Sequence, residues 1–433
     1  MNKTQISFNI TKKQIILALI ALVVFGGLIR LINAYWCVHY FDIPYYRDWA
    51  LSAVNDGLFN IYNMDLGEHS VDYPPMFLFP LYITGLILKN ETVMNFDGYL
   101  MIALKMWQII FDLATIIALY IVFKNKNKLA ALGAAAVWAV NPSIIFSSSY
   151  WGQTDSIMLF LLLITLAAFD NKMPVFGTVM YAVACLTKFQ CAYFAPVILL
   201  FLLFGKYTPR QIASALISAA GTVLIVFAPF MAHSGITLPF KIYFGGFGKW
   251  PSASAYAFNF FGLLGLNCVQ DNVKIGSLVS VSTLGTIMTI IAVVLTVLIF
   301  FTTKNKCPYM LSFFLMNTIF MFASRMHERY QIPVIILLLL ASAKHKSAKL
   351  FVCHVLTTVM TFLNAAFSFD VHIKYYDPAP YMQNADSIFI ALSGINLIVY
   401  FITLYITLDF FFGITAKLKS AWASADKPQA TEA

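Results

Sequence analysis

Apolar runs of about 20 residues recur along almost the whole of this 433-residue chain, and they constrain its fold more than any other feature. A helix needs about 20 apolar residues to cross a hydrocarbon core of about 30 Å. Charged residues make up 11% of the sequence, whereas soluble domains carry about 25%. These values exclude a soluble, a disordered or a nucleic-acid-binding chain. We therefore predict an all-α polytopic membrane protein.

The apolar pattern predicts a bundle of twelve transmembrane helices in a single integral membrane domain, residues 1–433. The predicted spans are 14–36, 98–123, 129–149, 155–169, 174–187, 189–204, 211–231, 276–301, 308–324, 330–343, 350–369 and 387–413. The apolar segment 76–89 is short and contains Pro80 and Gly85, so we predict a helix that lies on or dips into the membrane.

The basic residues assign the sides of this topology. Loops 124–128, 206–210, 304–306 and 344–349 are rich in Lys and Arg, which predicts that they are cytoplasmic. The first span follows three lysines without a cleavage site, so we expect a retained anchor and a cytoplasmic N-terminus. The tail, 414–433, is then also cytoplasmic. Loops 37–97 and 232–275 are long and external, the first carrying juxtamembrane helices, so we expect function on the external face.

Six cysteines are scattered without a CxxC pair or metal-ligand spacing. A nucleotide-sugar DxD motif is also not apparent. We therefore expect no metal and no cofactor.

The first external loop contains YYRDW and VDYPP, which supply two candidate aspartates, Asp48 and Asp72. Loop aspartates are commonly solvated or cap helices. Arg47 provides a counter-charge that keeps Asp48 ionised, and the surrounding aromatic residues indicate an interfacial setting. Asp48 is therefore the favoured acid–base candidate.

Polar residues follow the third predicted span in the sequence YWGQTDS, which contains Trp151, Gln153 and Asp155. The pattern permits two interpretations. Asp155 caps the next helix, or the WGQTD turn contacts a substrate.

The segment CLTKFQCAY places Lys188 and Gln190 between two short apolar runs, where an uninterrupted helix would overshoot the bilayer. This predicts a break in the helix at Lys188. A lysine at such a break either extends to the membrane surface or neutralises an anion.

The segment RMHERY crowds charged residues, His327, Glu328 and Arg329 among them, into a short external connection. We interpret this cluster as a phosphate-binding site, with an internal Glu328–Arg329 ion pair as the alternative. Asp112 and His354 lie within spans and are predicted to form hydrogen bonds between helices rather than to act in catalysis.

Taken together, YRDW, DYPP, NPSIIF with WGQTDS, CLTKFQCAYFAP and HERY resemble motifs of GT-C glycosyltransferases, over the chain from its N-terminus to about residue 335. The similarity is to glucosyltransferases that extend lipid-linked oligosaccharides and to bacterial relatives of GPI mannosyltransferases. WGQTD and HERY depart from the HFQ-like and HEK versions of the eukaryotic enzymes. The resemblance therefore does not name the donor sugar or the acceptor.

The resemblance implies an enzyme that transfers a hexose, with inversion, from a polyprenyl-phosphate sugar to an acceptor hydroxyl of a lipid-linked or cell-envelope glycan. It places Asp48 as general base, Asp72 and Tyr73 in the DYPP motif, and His327 near the donor phosphate. The chemistry fits independently, because a sugar phosphate carries its own leaving group. Such a site needs one base together with cations for the phosphate, here Lys188, His327 and Arg329.

Two other functions are compatible with the sequence. A transporter or flippase of a lipid-linked saccharide would have a polar site near the membrane midplane between repeats, and the sequence shows neither. Ligation of a finished polymer would keep the enzyme class and change the donor. Short internal loops without an organelle-retention signal lead us to expect a bacterial plasma membrane.

Overall fold

The computed structural model describes residues 11–40, 42–248, 250–276, 278–374 and 387–425. In its first half the α-helices are α1 Lys12–Trp36, α2 Asp42–Ser52, α3 Leu78–Leu88, α4 Glu91–Asn95, α5 Asp97–Phe123, α6 Lys128–Ala139, α7 Pro142–Ile145, α8 Asp155–Asp170, α9 Pro174–Thr187 and α10 Ala195–Phe204. In its second half they are α11 Pro209–Ser234, α12 Leu238–Gly248, α13 Phe260–Leu263, α14 Val281–Thr302, α15 Pro308–Phe322, α16 Ile332–His345, α17 Ala348–Lys374, α18 Ser387–Phe412 and α19 Ile414–Ala425.

Shorter elements connect these helices. The 3₁₀-helices are Leu58–Asn63, Gly67–His69, Pro75–Phe77 and Phe189–Phe194, and the π-helices are Ala53–Gly57 and Phe146–Trp151. Two short strands, β1 Lys274–Ile275 and β2 Val279–Ser280, pair in antiparallel register, with Lys274 opposite Ser280. The predicted all-α class is confirmed by this architecture.

Six helices in the described part are long and apolar enough to cross a membrane: α1, α5, α11, α14, α17 and α18. A seventh crossing is formed if α6 and the bent segment Pro142–Trp151 are taken as one span. The other five predicted spans form helical segments of only 14 to 16 residues. A twelve-span bundle is therefore not confirmed.

Two of the short helices lie in the interior of the bundle. Residues 308–321 of α15 and 332–342 of α16 are all buried. A helix that is apolar on every side is buried either among other helices or in the lipid of a membrane. Their sequences resemble spans because of this all-round burial, although each helix is too short for an independent crossing.

The predicted internal connections meet at one end of the bundle. Asp170, at the end of α8, accepts a hydrogen bond from Lys126 across 3.4 Å and another from Lys344. Thr303, after α14, donates to the carbonyl of Phe411 across 3.1 Å. The clustering agrees with the predicted alternation of loops between two sides.

The predicted external connections meet at the opposite end, which we call the loop end. Asn63 in the first long loop donates to the carbonyl of His233, and Tyr243 donates to that of Cys185. The segment 76–89 contains the short helix α3, which packs on α2. Its position on or in the membrane stays a prediction. The loop end therefore collects the segments that carry the candidate site residues.

Candidate active site

A cavity of about 400 Å³ opens at the loop end between α14, the start of Phe189–Phe194 and the connection between α15 and α16. Its polar and charged lining comprises Asp72, Tyr73, Lys188, Gln190, Tyr193, Ser282, Thr286, Thr289, Ser324, Arg325, His327, Arg329 and Tyr330. It thus brings together residues from three of the predicted motifs: DYPP, CLTKFQCAY and HERY.

Each lysine or arginine that lines the cavity in the described part of the chain lies beside a carboxylate. Lys188 Nζ is 2.5 Å from Asp155 Oδ1, and both side chains are buried. Arg329 Nη1 is 2.6 Å from Glu328 Oε1. Arg325 Nε is 2.6 Å from Asp271 Oδ2, which belongs to the second long loop. These pairs hold the cations in fixed positions around the cavity.

The chain break predicted at Lys188 is confirmed. Helix α9 ends at Thr187, and Lys188 adopts an extended conformation before the 3₁₀-helix begins at Phe189. The extended backbone directs the lysine side chain inward, where it contacts Asp155 rather than reaching the membrane surface.

Asp155 does not cap α8 through its side chain. It is the first residue of that helix, and its Oδ2 accepts a hydrogen bond from Ser147 across 3.3 Å. The capping interpretation is therefore wrong. The carboxylate is committed to Lys188 and Ser147.

The connection after α15 is held in place by the second long loop. The carbonyl of Met326 accepts from the amide of Ala255, and His327 forms isolated β-bridges with residues 255 and 256. On the other side, a Cβ added to Gly285 of α14 would lie 2.5 Å from the amide nitrogen of Ser324. Backbone contacts on both sides therefore position His327 and Arg329.

The ion pair of Glu328 with Arg329, which was the alternative interpretation of HERY, is present. Arg329 nevertheless lines the cavity, and its guanidinium lies 5.8 Å from the ring centre of Trp151. Burial raises the pKa of the Glu328 carboxyl above its ordinary value, and the charge of Arg329 opposes this shift. Asp42 adds to the rise.

Asp42, at the start of α2, is a site residue that sequence reasoning missed. Its Oδ2 accepts hydrogen bonds from Trp151 Nε1 across 2.6 Å and from Gln153 Nε2 across 2.7 Å. His39 Nδ1 lies 3.2 Å from the same oxygen. Trp151 is almost fully buried, and its ring stacks on that of His39.

The negative charge of Asp42 reaches the cavity cations. Burial disfavours the charged form of Arg329, but Glu328, Asp42, Tyr73 and Asp155 together raise the pKa of Arg329 well above its ordinary value. Asp42 therefore lies within electrostatic range of the HERY connection. No local sequence pattern separated Asp42 from the other aspartates of the first loop.

Asp48 lies in a different part of the loop end. Its Oδ1 accepts from Arg47 Nε across 3.0 Å, and its Oδ2 lies 2.6 Å from Nδ1 of His69. Trp49 Nε1 donates to the carbonyl of His69, which fixes the histidine beside α2. Asp48 and Arg47 are not among the residues that line the cavity. The role of Asp48 as base stays a prediction.

Residues of the DYPP motif link the rest of the first long loop to the cavity. Asp72 and Tyr73 line the cavity, and the hydroxyl of Tyr73 lies 3.4 Å from that of Tyr46 and 3.5 Å from that of Thr154. Tyr62 donates to the carbonyl of Tyr73 across 2.7 Å. Tyr73 thus contacts other residues of the first long loop and the turn after Trp151, and it also lines the cavity that holds the cations.

The two buried polar residues within spans form contacts between helices. Asp112 Oδ2 lies 2.9 Å from Nε of Arg30, which joins α5 to α1. His354 Nδ1 lies 3.0 Å from the carbonyl of Ile335, which joins α17 to α16. The prediction that these residues link helices is confirmed. Within the described residues, no group of three or more His, Cys, Asp or Glu side chains could hold a metal ion.

The described part of the chain is thus an apolar helical bundle with a charged cavity at its loop end. Residues 28–242, about half of the chain, match the sequence model of the ALG6, ALG8 glycosyltransferase family. This match confirms the resemblance to GT-C glycosyltransferases, and the chain is a membrane glycosyltransferase. No curated protein matches the chain.

Proposed function

We propose that this glycosyltransferase transfers a hexose from a polyprenyl-phosphate sugar to a hydroxyl of a lipid-linked saccharide or envelope glycan, with inversion. The observation that carries this proposal is the cavity in which Lys188, Arg325 and Arg329 surround one volume beside His327. Guanidinium and ammonium groups are the donors that bind phosphate oxygens in proteins. The family match adds the chemistry of glycosyl transfer on lipid-linked oligosaccharides.

In the proposed reaction the acceptor oxygen attacks the anomeric carbon of the donor. The bond from that carbon to the phosphate oxygen breaks, and the electron pair leaves on the phosphate. The hydroxyl proton passes to a carboxylate. Direct displacement on the face opposite the leaving group inverts the anomeric configuration.

The cations stabilise the negative charge that grows on the departing phosphate. Fixed charges in a site with little water act strongly on such a transition state, because they need no reorganisation during the reaction. Arg329 and Lys188 are held by Glu328 and Asp155, so their positions are set before the donor binds.

Two carboxylates of the first loop are candidates for the proton acceptor. The sequence favoured Asp48, whose carboxylate pairs with Arg47 and His69. Neither Asp42 nor Asp48 is among the residues that line the cavity, but Asp42 accepts a hydrogen bond from Trp151, whose ring centre lies 5.8 Å from the guanidinium of Arg329. A base must lie near the bond that breaks, and that bond adjoins the phosphate. We therefore assign the base role to Asp42 and keep Asp48 as the alternative.

The remaining lining residues have supporting roles in this proposal. Asp72, Tyr73 and Gln190 lie where they can contact the hexose or the acceptor. Outside the lining, Trp151 holds the Asp42 carboxylate through its indole N–H. We propose that the reaction needs no metal, that the protein resides in a bacterial plasma membrane and that the loop end faces outward.

A reconstituted assay tests the proposal. Purified protein in lipid nanodiscs receives radiolabelled polyprenyl-phosphate glucose or mannose, with a lipid-linked disaccharide as acceptor. The proposal predicts a labelled saccharide of inverted configuration by NMR and released polyprenyl phosphate. A flippase would instead move the intact donor across vesicles. Intact donor after prolonged incubation with each sugar and acceptor would contradict the proposal.

A further inference from the structure

Lys105, in the third turn of α5, is a fully buried cation that the proposed mechanism does not use. Its Nζ donates to three backbone carbonyls: Cys37 across 2.6 Å, Ser149 across 3.0 Å and Tyr150 across 2.8 Å. An ammonium group has three donors, so these contacts engage all of them. Lys105 is thus fully committed to the backbone.

The three carbonyls belong to two segments that meet at Asp42. Cys37 ends α1 and leads through His39 to Asp42 at the start of α2. Ser149 and Tyr150 lie in the π-helix that ends at Trp151. Lys105 therefore joins the segment that carries the carboxylate to the segment that carries its hydrogen-bond donors.

Neighbouring contacts hold the same turn from the same helix. Gln108, one turn after Lys105 on α5, donates its Nε2 to the carbonyl of Gly152 across 2.9 Å. Gly152 has a positive φ of 95°, and a Cβ added there would lie 3.0 Å from Cγ of Lys105. The turn lies directly on the lysine stem, which leaves little room for a displaced arrangement.

We propose that Lys105 is a positioning residue that clamps the Cys37 and Ser149–Tyr150 backbones together and so fixes Asp42 against Trp151 and Gln153. This inference rests on the proposed function for its catalytic consequence. The contacts of Lys105 with the two backbone segments do not depend on that function. The two parts can therefore be tested separately.

Removal of the Lys105 ammonium should lower turnover without weakening the binding of the lipid phosphate. Lys105→Met keeps most of the side-chain volume and leaves three carbonyls without their donor, so both segments lose a shared anchor. The cations of the cavity lie on other elements. Binding of the lipid phosphate should therefore be retained, whereas turnover should fall by roughly 100-fold, as expected for a displacement of about 1 Å.

The experiment compares wild type, Lys105→Met and Lys344→Met in nanodiscs. Lys344 binds Asp170 at the opposite end of the bundle and serves as the control, a partly buried lysine outside the candidate site. Three quantities are measured for each protein: the Kd for short-chain polyprenyl phosphate, kcat normalised to the number of binding sites, and backbone hydrogen exchange by mass spectrometry.

The expected result for Lys105→Met is a Kd within about twofold of wild type, the large fall in kcat, and faster exchange in peptides covering residues 37–40 and 147–154. Exchange in residues 323–331 should be unchanged. Lys344→Met should leave kcat per binding site and exchange at the loop end at wild-type values. Unchanged exchange in the two segments, or a Kd that weakens as much as kcat falls, would overturn the inference.

An error in the proposed function can be distinguished from an error in the proposed role of Lys105. If wild-type protein does not turn over the donor, or if Asp42→Asn retains wild-type kcat, the proposed reaction or base is wrong. The exchange measurement still decides whether Lys105 clamps the two segments.

Discussion

The indole nitrogen of Trp151 donates a hydrogen bond to the Asp42 carboxylate across 2.6 Å, over a sequence separation of 109 residues. This contact joins the first long loop to the turn after α7. Gln153 donates to the same oxygen, so two buried side chains fix one carboxylate beside the HERY connection. The candidate base is therefore rigid before any substrate binds, as electrostatic preorganisation requires.

Replacement of each candidate base separates the two assignments. Asp42→Asn removes the negative oxygen that would accept the proton, and we expect kcat to fall by about 10²- to 10⁴-fold while polyprenyl phosphate still binds. Asp48→Asn should reduce kcat by less than about tenfold. The measurement is single-turnover transfer from the radiolabelled donor. The opposite ranking of the two variants would return the base role to Asp48.

The pair of Lys188 and Asp155 should show strong coupling. Lys188→Met leaves a buried carboxylate without its cation, which we expect to cost about 3–5 kcal/mol of unfolding free energy. The double variant Lys188→Met with Asp155→Leu should recover much of this loss, because neither charge then remains buried. Thermal and denaturant unfolding in detergent would measure the unfolding free energies of the wild type, the two single variants and the double variant. Additive losses would show that the two side chains do not interact.

The double variant also provides a functional comparison. The double variant has no unpaired buried charge, but it still lacks the Lys188 ammonium. Donor binding should therefore stay weak even though the unfolding free energy recovers. Recovery of both stability and donor affinity would exclude Lys188 from phosphate binding.

The close contact between α14 and the HERY connection predicts a selective effect at Gly285. Gly285→Ala places a methyl group 2.5 Å from the Ser324 nitrogen, which must displace the backbone that leads to Arg325 and His327. We expect the Kd for polyprenyl phosphate to rise by roughly tenfold, equivalent to about 1.4 kcal/mol. Isothermal titration calorimetry of polyprenyl phosphate with detergent-solubilised protein would measure this change in Kd.

The matched control for that variant is Gly221→Ala on α11, where an added Cβ meets no atom within 4 Å. It should leave the Kd unchanged and stabilise its helix slightly. Equal weakening in both variants would mean that the effect is not local to the cavity.

The second long loop depends on a residue of α17. Asn364 accepts from the amide of Phe258 across 2.9 Å and donates to the carbonyl of Tyr256 across 2.6 Å. Asn364→Leu leaves both backbone groups without partners, at a cost of about 1–3 kcal/mol. Because residues 255 and 256 bridge His327, we expect weaker lipid-phosphate binding. Normal affinity in a destabilised variant would show that this loop does not set the site.

Local sequence signals predicted the parts of the site that local chemistry determines. The break at Lys188 follows from two apolar runs whose combined length exceeds the bilayer. The HERY charges were recognisable because charge is rare in such a chain. Asp42 could not be selected in this way, since its partners Trp151 and Gln153 are distant in sequence and only the folded chain brings them together.

The predicted count of twelve spans is not confirmed, and the physical reason lies in the short helices. Hydropathy reports burial in an apolar environment, and the interior of a helical bundle is as apolar as lipid. Helices α15 and α16 have 15 and 14 residues, of which 308–321 and 332–342 are all buried by protein. Their composition predicted spans, whereas their length is that of interior helices.

A cryo-EM map of the wild-type protein with short-chain polyprenyl phosphate tests the account most directly. The account predicts phosphate density in the cavity at the loop end, within about 3 Å of Arg329 or Lys188. The polyprenyl chain should extend from there along α14. Phosphate density at the opposite end of the bundle, beside Lys344 and Lys346, with the cavity empty, would contradict it.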